Sequence, residues 1–153
     1  MPTRLAFTVE ATSPAPPSAV YRLLAEGASW PSWTPIGRFE LEAEGTEGGE
    51  SAGAVRAFIS GPVRSREQLV ELMPDRLVRY RVLSGPPLAD HEAKVELSAV
   101  DGGTRIVWSE AFVPKVPGTG TVLRWFLTRF IQRCANGLAA AAQPTTDQPS
   151  TDS

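Results

Sequence analysis

Over most of the chain, apolar residues recur at every second position. Leu5, Phe7, Val9 and Ala11 alternate with more polar neighbours, which predicts a half-buried first strand. The stretch "SPAPPSAVYRLLAEGASW" interrupts that rhythm. Its prolines stop the strand, and Pro17 suits a helix N-terminus, where its missing N–H costs nothing. Ala19, Val20, Leu23 and Leu24 give a short apolar face, and Gly27 ends it. "SWPSWTPIG" predicts a second short helical turn. Phe39, Leu41 and Ala43 then alternate against Arg38, Glu40, Glu42 and Glu44, forming a second strand before the acidic, glycine-rich loop "GTEGGESAGA".

Five more strand-like segments follow, over 54–60, 64–73, 76–83, 91–100 and 104–112. The turn signals "SGP", "MPD", "SGPP" and "VDGG" separate them. Connections this short join antiparallel neighbours, because parallel crossovers need a dozen or more residues.

After "PKVPGTG" the period changes. Leu123, Phe126, Leu127, Phe130, Cys134 and Leu138 recur at three- and four-residue spacings, predicting a long amphipathic helix from about residue 121 to 142. Arg124, Arg129, Arg133 and Asn136 take its other side. With Trp125 the arginines make a basic-aromatic face, either simply solvated or in contact with a membrane surface or partner. Cys134, on the apolar stripe, reads as a small buried hydrophobe, not a reactive thiol. The closing "QPTTDQPSTDS" is polar and is expected to be disordered. The predicted organisation is one domain over 1–142 and a tail over 143–153.

The last two strands can be aligned from the sequence alone. Ile106, Trp108, Glu110 and Phe112 share one face of the last strand, and Ala93, Val95, Leu97 and Ala99 share one face of the strand before it. A two-residue Asp101-Gly102 turn brings those faces together. Val95 then lies opposite Trp108, Leu97 opposite Ile106, Ala93 opposite Glu110, and His91 opposite Phe112. The chain's one histidine and Glu110 become diagonal neighbours, roughly 7–8 Å apart at the backbone. A buried carboxylate without a partner costs several kcal/mol or neutralises itself, and a nearby imidazole lowers that cost. The pair marks either the wet rim of a core or the polar end of a ligand site. No third catalytic partner accompanies it, so no catalytic residue is assigned.

Composition narrows the classes. A length of 153 residues suits one domain, and 42% apolar residues supply a sizeable core. A net charge of −2 argues against a nucleic-acid binder that works by phosphate neutralisation. No apolar run reaches the ~20 residues of a membrane span, the N-terminus lacks a signal-peptide apolar block, and Cys134 alone makes no internal disulfide. The expectation is a cytoplasmic protein. No His, Cys, Asp and Glu cluster has zinc-ligand spacing. "GTEGGESAGAV" is acidic and flanked by strands, unlike a phosphate loop. Ser109, beside Glu110, points to the opposite face, so no nucleophilic triad forms. No metal and no cofactor are therefore expected.

In order and spacing, "APPSAVYRLLAEGASWPSW", "GAVRAFISG", "LVELMPDRLVRYRV" and "GGTRIVWSEAFVPK" resemble the START-like, or SRPBCC, superfamily. Their texture resembles its polyketide cyclase/dehydrase branch. The resemblance covers nearly the whole chain, to about Ala142. It implies an α+β helix-grip fold: a curved seven-stranded antiparallel sheet around the long C-terminal helix. Two short helices would lie between strands 1 and 2, with a hydrophobic cavity between sheet and helix. The superfamily includes lipid and sterol carriers, aromatic polyketide cyclases, hormone receptors, oxygenase domains and co-chaperone activators, so fold alone does not choose a function. The chain lacks an iron site of the kind the oxygenase members need.

On that architecture, Trp30 and Trp33 would sit at the lid, Trp108 and Phe112 on the last strand, and Phe126 and Phe130 on the helix. Tyr80 and Phe58 belong to strands whose orientation the pattern leaves open. With His91 and Glu110, these ten residues make up the expected ligand-binding cavity. The first functional expectation is binding of a hydrophobic small molecule: a lipid, an isoprenoid or an aromatic polyketide-like compound. The alternatives are an aromatase/cyclase-like enzyme, with His91 or Glu110 shuttling protons, and a protein-interaction module with a filled core. Edge strands leave room for a homodimer.

Overall fold

The alternating stretches form seven strands, in a computed structural model that describes residues 3–142. The expected tail over 143–153 lies outside the described residues. In chain order the elements are β1 (Leu5–Ser13), α1 (Pro17–Ala25), a 3-10 turn (Gly27–Ser32), β2 (Arg38–Ala43), β3 (Val55–Ser60), β4 (Val63–Met73), β5 (Leu77–Ser84), β6 (Leu88–Val100), β7 (Gly103–Pro114) and α2 (Gly120–Ala141). All pairings are antiparallel and the sheet runs β1-β7-β6-β5-β4-β3-β2. This is the expected helix-grip arrangement. The curved sheet holds α2, which packs mainly on β1 and β7.

Alternation decides what each strand buries. On β7, Thr104, Ile106, Trp108, Glu110 and Phe112 turn inward, and the residues between them turn outward. On β6, His91, Ala93, Val95 and Leu97 do the same. Ala99 is exposed instead, because the hairpin has left the core by that point. The Asp101-Gly102 turn gives the derived register, Val95 opposite Trp108, Leu97 opposite Ile106 and Ala93 opposite Glu110. Farther along, the alignment fails. β6 starts at Leu88, three residues before the expected start, and a bulge lies between Ala89 and Glu92. Asp90 sits there at φ +50°, and His91 therefore has no partner in Phe112.

The second half of α2 is held firmly. Its buried residues, Ile131, Cys134, Ala135, Leu138 and Ala139, all lie past its midpoint. Ser13 Oγ donates to the Ala139 carbonyl at 2.8 Å and accepts from the Ala15 N–H at 3.1 Å. Thr104 Oγ1 donates to the Ala15 carbonyl at 2.7 Å. Gly137 permits the closest approach: a Cβ there would run into the Trp33 carbonyl, so helix backbone lies against the chain that leaves the 3-10 turn.

This contact makes a prediction. In an open helix, Gly→Ala gains up to about 1 kcal/mol. Gly137→Ala is expected instead to lose about 1–3 kcal/mol, because backbone must move to admit the methyl. The midpoint of urea unfolding measures it, and a stabilised variant would refute the close approach.

Candidate functional site

Four strands place polar groups at one interior point. β7 brings Glu110, β6 His91, β5 Tyr80 and β4 Glu67, all under α2. Glu110 is flanked by the fully buried Trp108 and Phe112 and is itself buried. Tyr80 O–H donates to Glu110 Oε2 at 3.0 Å, and Trp108 Nε1–H donates to the Tyr80 oxygen at 3.1 Å. His91 Nε2 lies 2.9 Å from Glu110 Oε1. Its other nitrogen, Nδ1, accepts the Val82 N–H at 2.9 Å. A backbone N–H only donates, so the ring proton sits on Nε2 and points at Glu110. Each carboxylate oxygen thus accepts a hydrogen bond, and neither imidazole nitrogen is free. Burial, then the nearby carboxylates of Glu110 and Glu67, hold the Tyr80 phenol well above its ordinary range. Tyr80 therefore remains a donor.

A second cluster adjoins the first. Trp30 stacks on Phe58 at 4.6 Å between ring centres, touches Trp33 at 4.7 Å and meets Trp108 edge-on at 5.9 Å. The Arg56 guanidinium, fully buried, lies 5.2 Å from both the Trp30 and Phe58 rings. Its Nη1 donates to the Leu24 carbonyl and to Glu50 Oε1, each at 3.1 Å. Glu50 also accepts the Gly27 N–H at 2.8 Å, fastening the 3-10 turn to the sheet. Glu67 pairs across strands with Arg56, yet Arg56 Nη2 and Glu67 Oε1 are both sealed from solvent with no hydrogen-bond partner. Burial pushes the Glu67 carboxyl up to about 8, against the pull of Arg56 and with the push of Glu110.

An interior cavity of about 70 Å³ lies where these clusters meet α2. It has room for a few water molecules, far short of the roughly 300–1,000 Å³ of pockets that hold drug-sized ligands. Larger concavities of about 340–670 Å³ are open grooves, and the one that reaches Glu110 runs beside the exposed Glu92, Lys94 and Glu96. Five of the ten expected residues, Trp30, Tyr80, His91, Glu110 and Phe130, line the interior cavity. Trp33, Phe58, Trp108 and Phe112 are buried but stand back from it. Phe126 departs from expectation: it is 59% exposed, because α2 turns that side outward before its buried half begins. In place of the expected hydrophobic cavity, the interior holds a small one with an acidic, hydrogen-bonded end.

Nine further lining residues are not among the ten expected from the sequence, Glu67, Leu127 and Cys134 among them. Parity could have found Glu67, two residues before the buried Leu69 on the same strand face. Burial pushes the Cys134 thiol up, in keeping with a neutral buried side chain. Among the described residues, no group of three or more His, Cys, Asp or Glu could hold a metal ion. None of the helices there is long and apolar enough to cross a membrane.

Glu67 gives stability a pH dependence. The folded chain keeps this proton up to about 8, while the unfolded chain releases it near 4.5. Its contribution is therefore fully present below pH 4.5 and is lost as pH rises to 8. Glu67→Gln should match the parent near pH 4.5 and exceed it by a few kcal/mol at most near pH 8, as read by denaturant unfolding at both pH values. Equal pH slopes for the two proteins would refute the buried carboxyl.

The family described as "Polyketide cyclase / dehydrase and lipid transport" matches residues 4–143. No curated protein matches the chain. Among solved structures it is similar to Ara h 8.0201, at 20% identity and a TM-score of 0.69, covering 90% of this chain and 96% of that one. It is also similar to XoxI from Bacillus cereus, at 19% identity and TM-score 0.71, covering 90% and 94%. A protein from Thermus thermophilus, TTHA0849, is similar at 21% identity and TM-score 0.65, covering 88% and 91%. At these identities the structural likeness establishes the fold, and the family match extends over nearly all of the sequence. The chain belongs to the polyketide cyclase/dehydrase and lipid transport family of the START-like, or SRPBCC, superfamily.

Proposed function

We propose that the protein binds a hydrophobic small molecule between the sheet and α2, with the polar end of the ligand toward His91 and Glu110. The reading rests on one observation: the interior cavity where the apolar Trp30, Leu127, Phe130 and Ile131 face the polar Glu67, Tyr80, His91 and Glu110. Membership of a family that includes lipid transport supports it. Binding energy would come mainly from apolar burial, at ~25 cal/mol per Å² before ordering costs. A lipid, isoprenoid or polyketide-like body exceeds the present cavity, so uptake requires the first half of α2 to move outward. No residue of that half is fully buried, and Phe130, at its border with the anchored half, is 37% exposed. The setting would be the cytoplasm.

Carriage is favoured over a proton shuttle through His91, because both nitrogens of that ring are engaged. A protein-interaction role is favoured by a different observation, the exposed Val122, Trp125 and Phe126 on one stretch of α2.

Native mass spectrometry of protein from its own host, with solvent extraction of any bound molecule, tests the binding reading. A stoichiometric hydrophobic ligand is expected. Empty protein that also takes up no fatty acid, sterol or polyketide aromatic would refute it. Phe130→Ala should admit the neutral fluorophore Nile red faster in stopped-flow mixing, at a stability cost below about 3 kcal/mol because the ring is only part-buried.

A further inference from the structure

We propose that the cavity selects ligands whose buried end is a neutral hydroxyl, an alcohol or phenol, and discriminates against carboxylates; this rests on the ligand-binding reading above. The wall decides it. Two carboxyl side chains, Glu67 and Glu110, face the cavity, and no lysine or arginine lines it. The Arg56 guanidinium is held through Nη1 by the Leu24 carbonyl and Glu50 against the Trp30 and Phe58 rings; its charge acts on Glu67, and it is not part of the cavity wall. His91 gives its one ring proton to Glu110. A carboxylate entering here would lose its water and meet the Glu110 carboxyl, with no lysine or arginine on the wall to receive its charge.

A hydroxyl fits where an anion does not. Glu67 Oε1 is sealed and has no hydrogen-bond partner, and leaving such a group unmet costs about 1–3 kcal/mol. A hydroxyl both donates and accepts, so it complements Glu67 whether or not that carboxyl holds its proton. Around Glu67 stand Arg56 on β3, Ser65 on its own strand, Tyr80 on β5, Glu110 on β7 and Cys134 on α2. Of these, Tyr80 is already committed to Glu110. An ammonium would be drawn to the acidic wall but must shed its whole hydration shell there, and the unpartnered Glu67 Oε1 receives only one of its three donors.

Displacement of Nile red from the full-length protein at pH 7 by decanol, decanoate and decylamine tests the proposal. Decanol is expected to displace the dye at a concentration at least about tenfold below decanoate. Glu67→Gln should keep a ratio near the parent's at pH 7, where Glu67 holds its proton, and a narrower one than the parent's at pH 9, where the parent carboxyl has ionised. Failure of Nile red to bind overturns the ligand-binding reading and this proposal with it. Dye uptake with decanoate or decylamine as good as decanol overturns the selectivity alone. The ranking on the unmodified protein decides the matter even where the variant folds poorly.

Discussion

Glu110 stands on β7 between Trp108 and Phe112, both inaccessible to solvent, and a carboxylate there is tolerable only while its oxygens are hydrogen-bonded. Meeting that condition ties the sheet together across three strands. Tyr80 reaches it from β5 and His91 from β6, and Trp108 orients Tyr80 from β7 itself. Val82 then fixes the His91 ring from β5, so that its proton points toward Glu110 and nowhere else. Removing one member strands its partners as unsatisfied buried groups, which is why such a network acts as a unit.

Much of this was legible in the chain. The two-residue turn at Asp101-Gly102 sets the parity of β6 and β7, so Ala93 opposite Glu110 and the inward position of His91 follow from counting. Counting failed at Asp90, where the bulge adds a residue that no periodicity announces. It failed again for Tyr80. The connection from β5 to β6 runs through Gly85-Pro86-Pro87, where loop length does not impose a register, so Tyr80 could not be assigned to Glu110. On α2 the apolar stripe was visible, but a helical period cannot tell how far along its length the sheet covers it. Phe126 lies beyond that cover. The family resemblance supplied the overall topology, and local alternation supplied the faces.

Arg56 and Glu67 present the opposite case to Glu110. They pair across β3 and β4 as an acid and a base might in a surface ladder, yet each keeps one polar atom sealed and unpartnered. A core selected for stability alone would rarely retain two such atoms a strand apart. Arg56 has a structural duty, because its contacts with Leu24 and Glu50 and with two aromatic rings fasten the 3-10 turn. Glu67 has no comparable duty. Its position on the cavity wall, beside a finished network, makes it the group there with hydrogen-bonding capacity to spare.

The division of α2 connects these points. From Ile131 onward the helix is locked by packing, by Ser13 on the Ala139 carbonyl and by the close approach at Gly137. Before Ile131 it carries Trp125 and Phe126 at 54% and 59% exposure, with Arg129 stacked 5.1 Å from the Trp125 ring. One element thus has an anchored half and a half with little to lose by moving. Free energies of local opening follow the number of buried apolar contacts and run lowest where these are fewest. The weakly held half carries Leu127 and Phe130, which line the cavity together with Glu67 and Glu110. The anchored end of the helix holds it to the sheet, and the other end carries the side chains that cover the polar cluster.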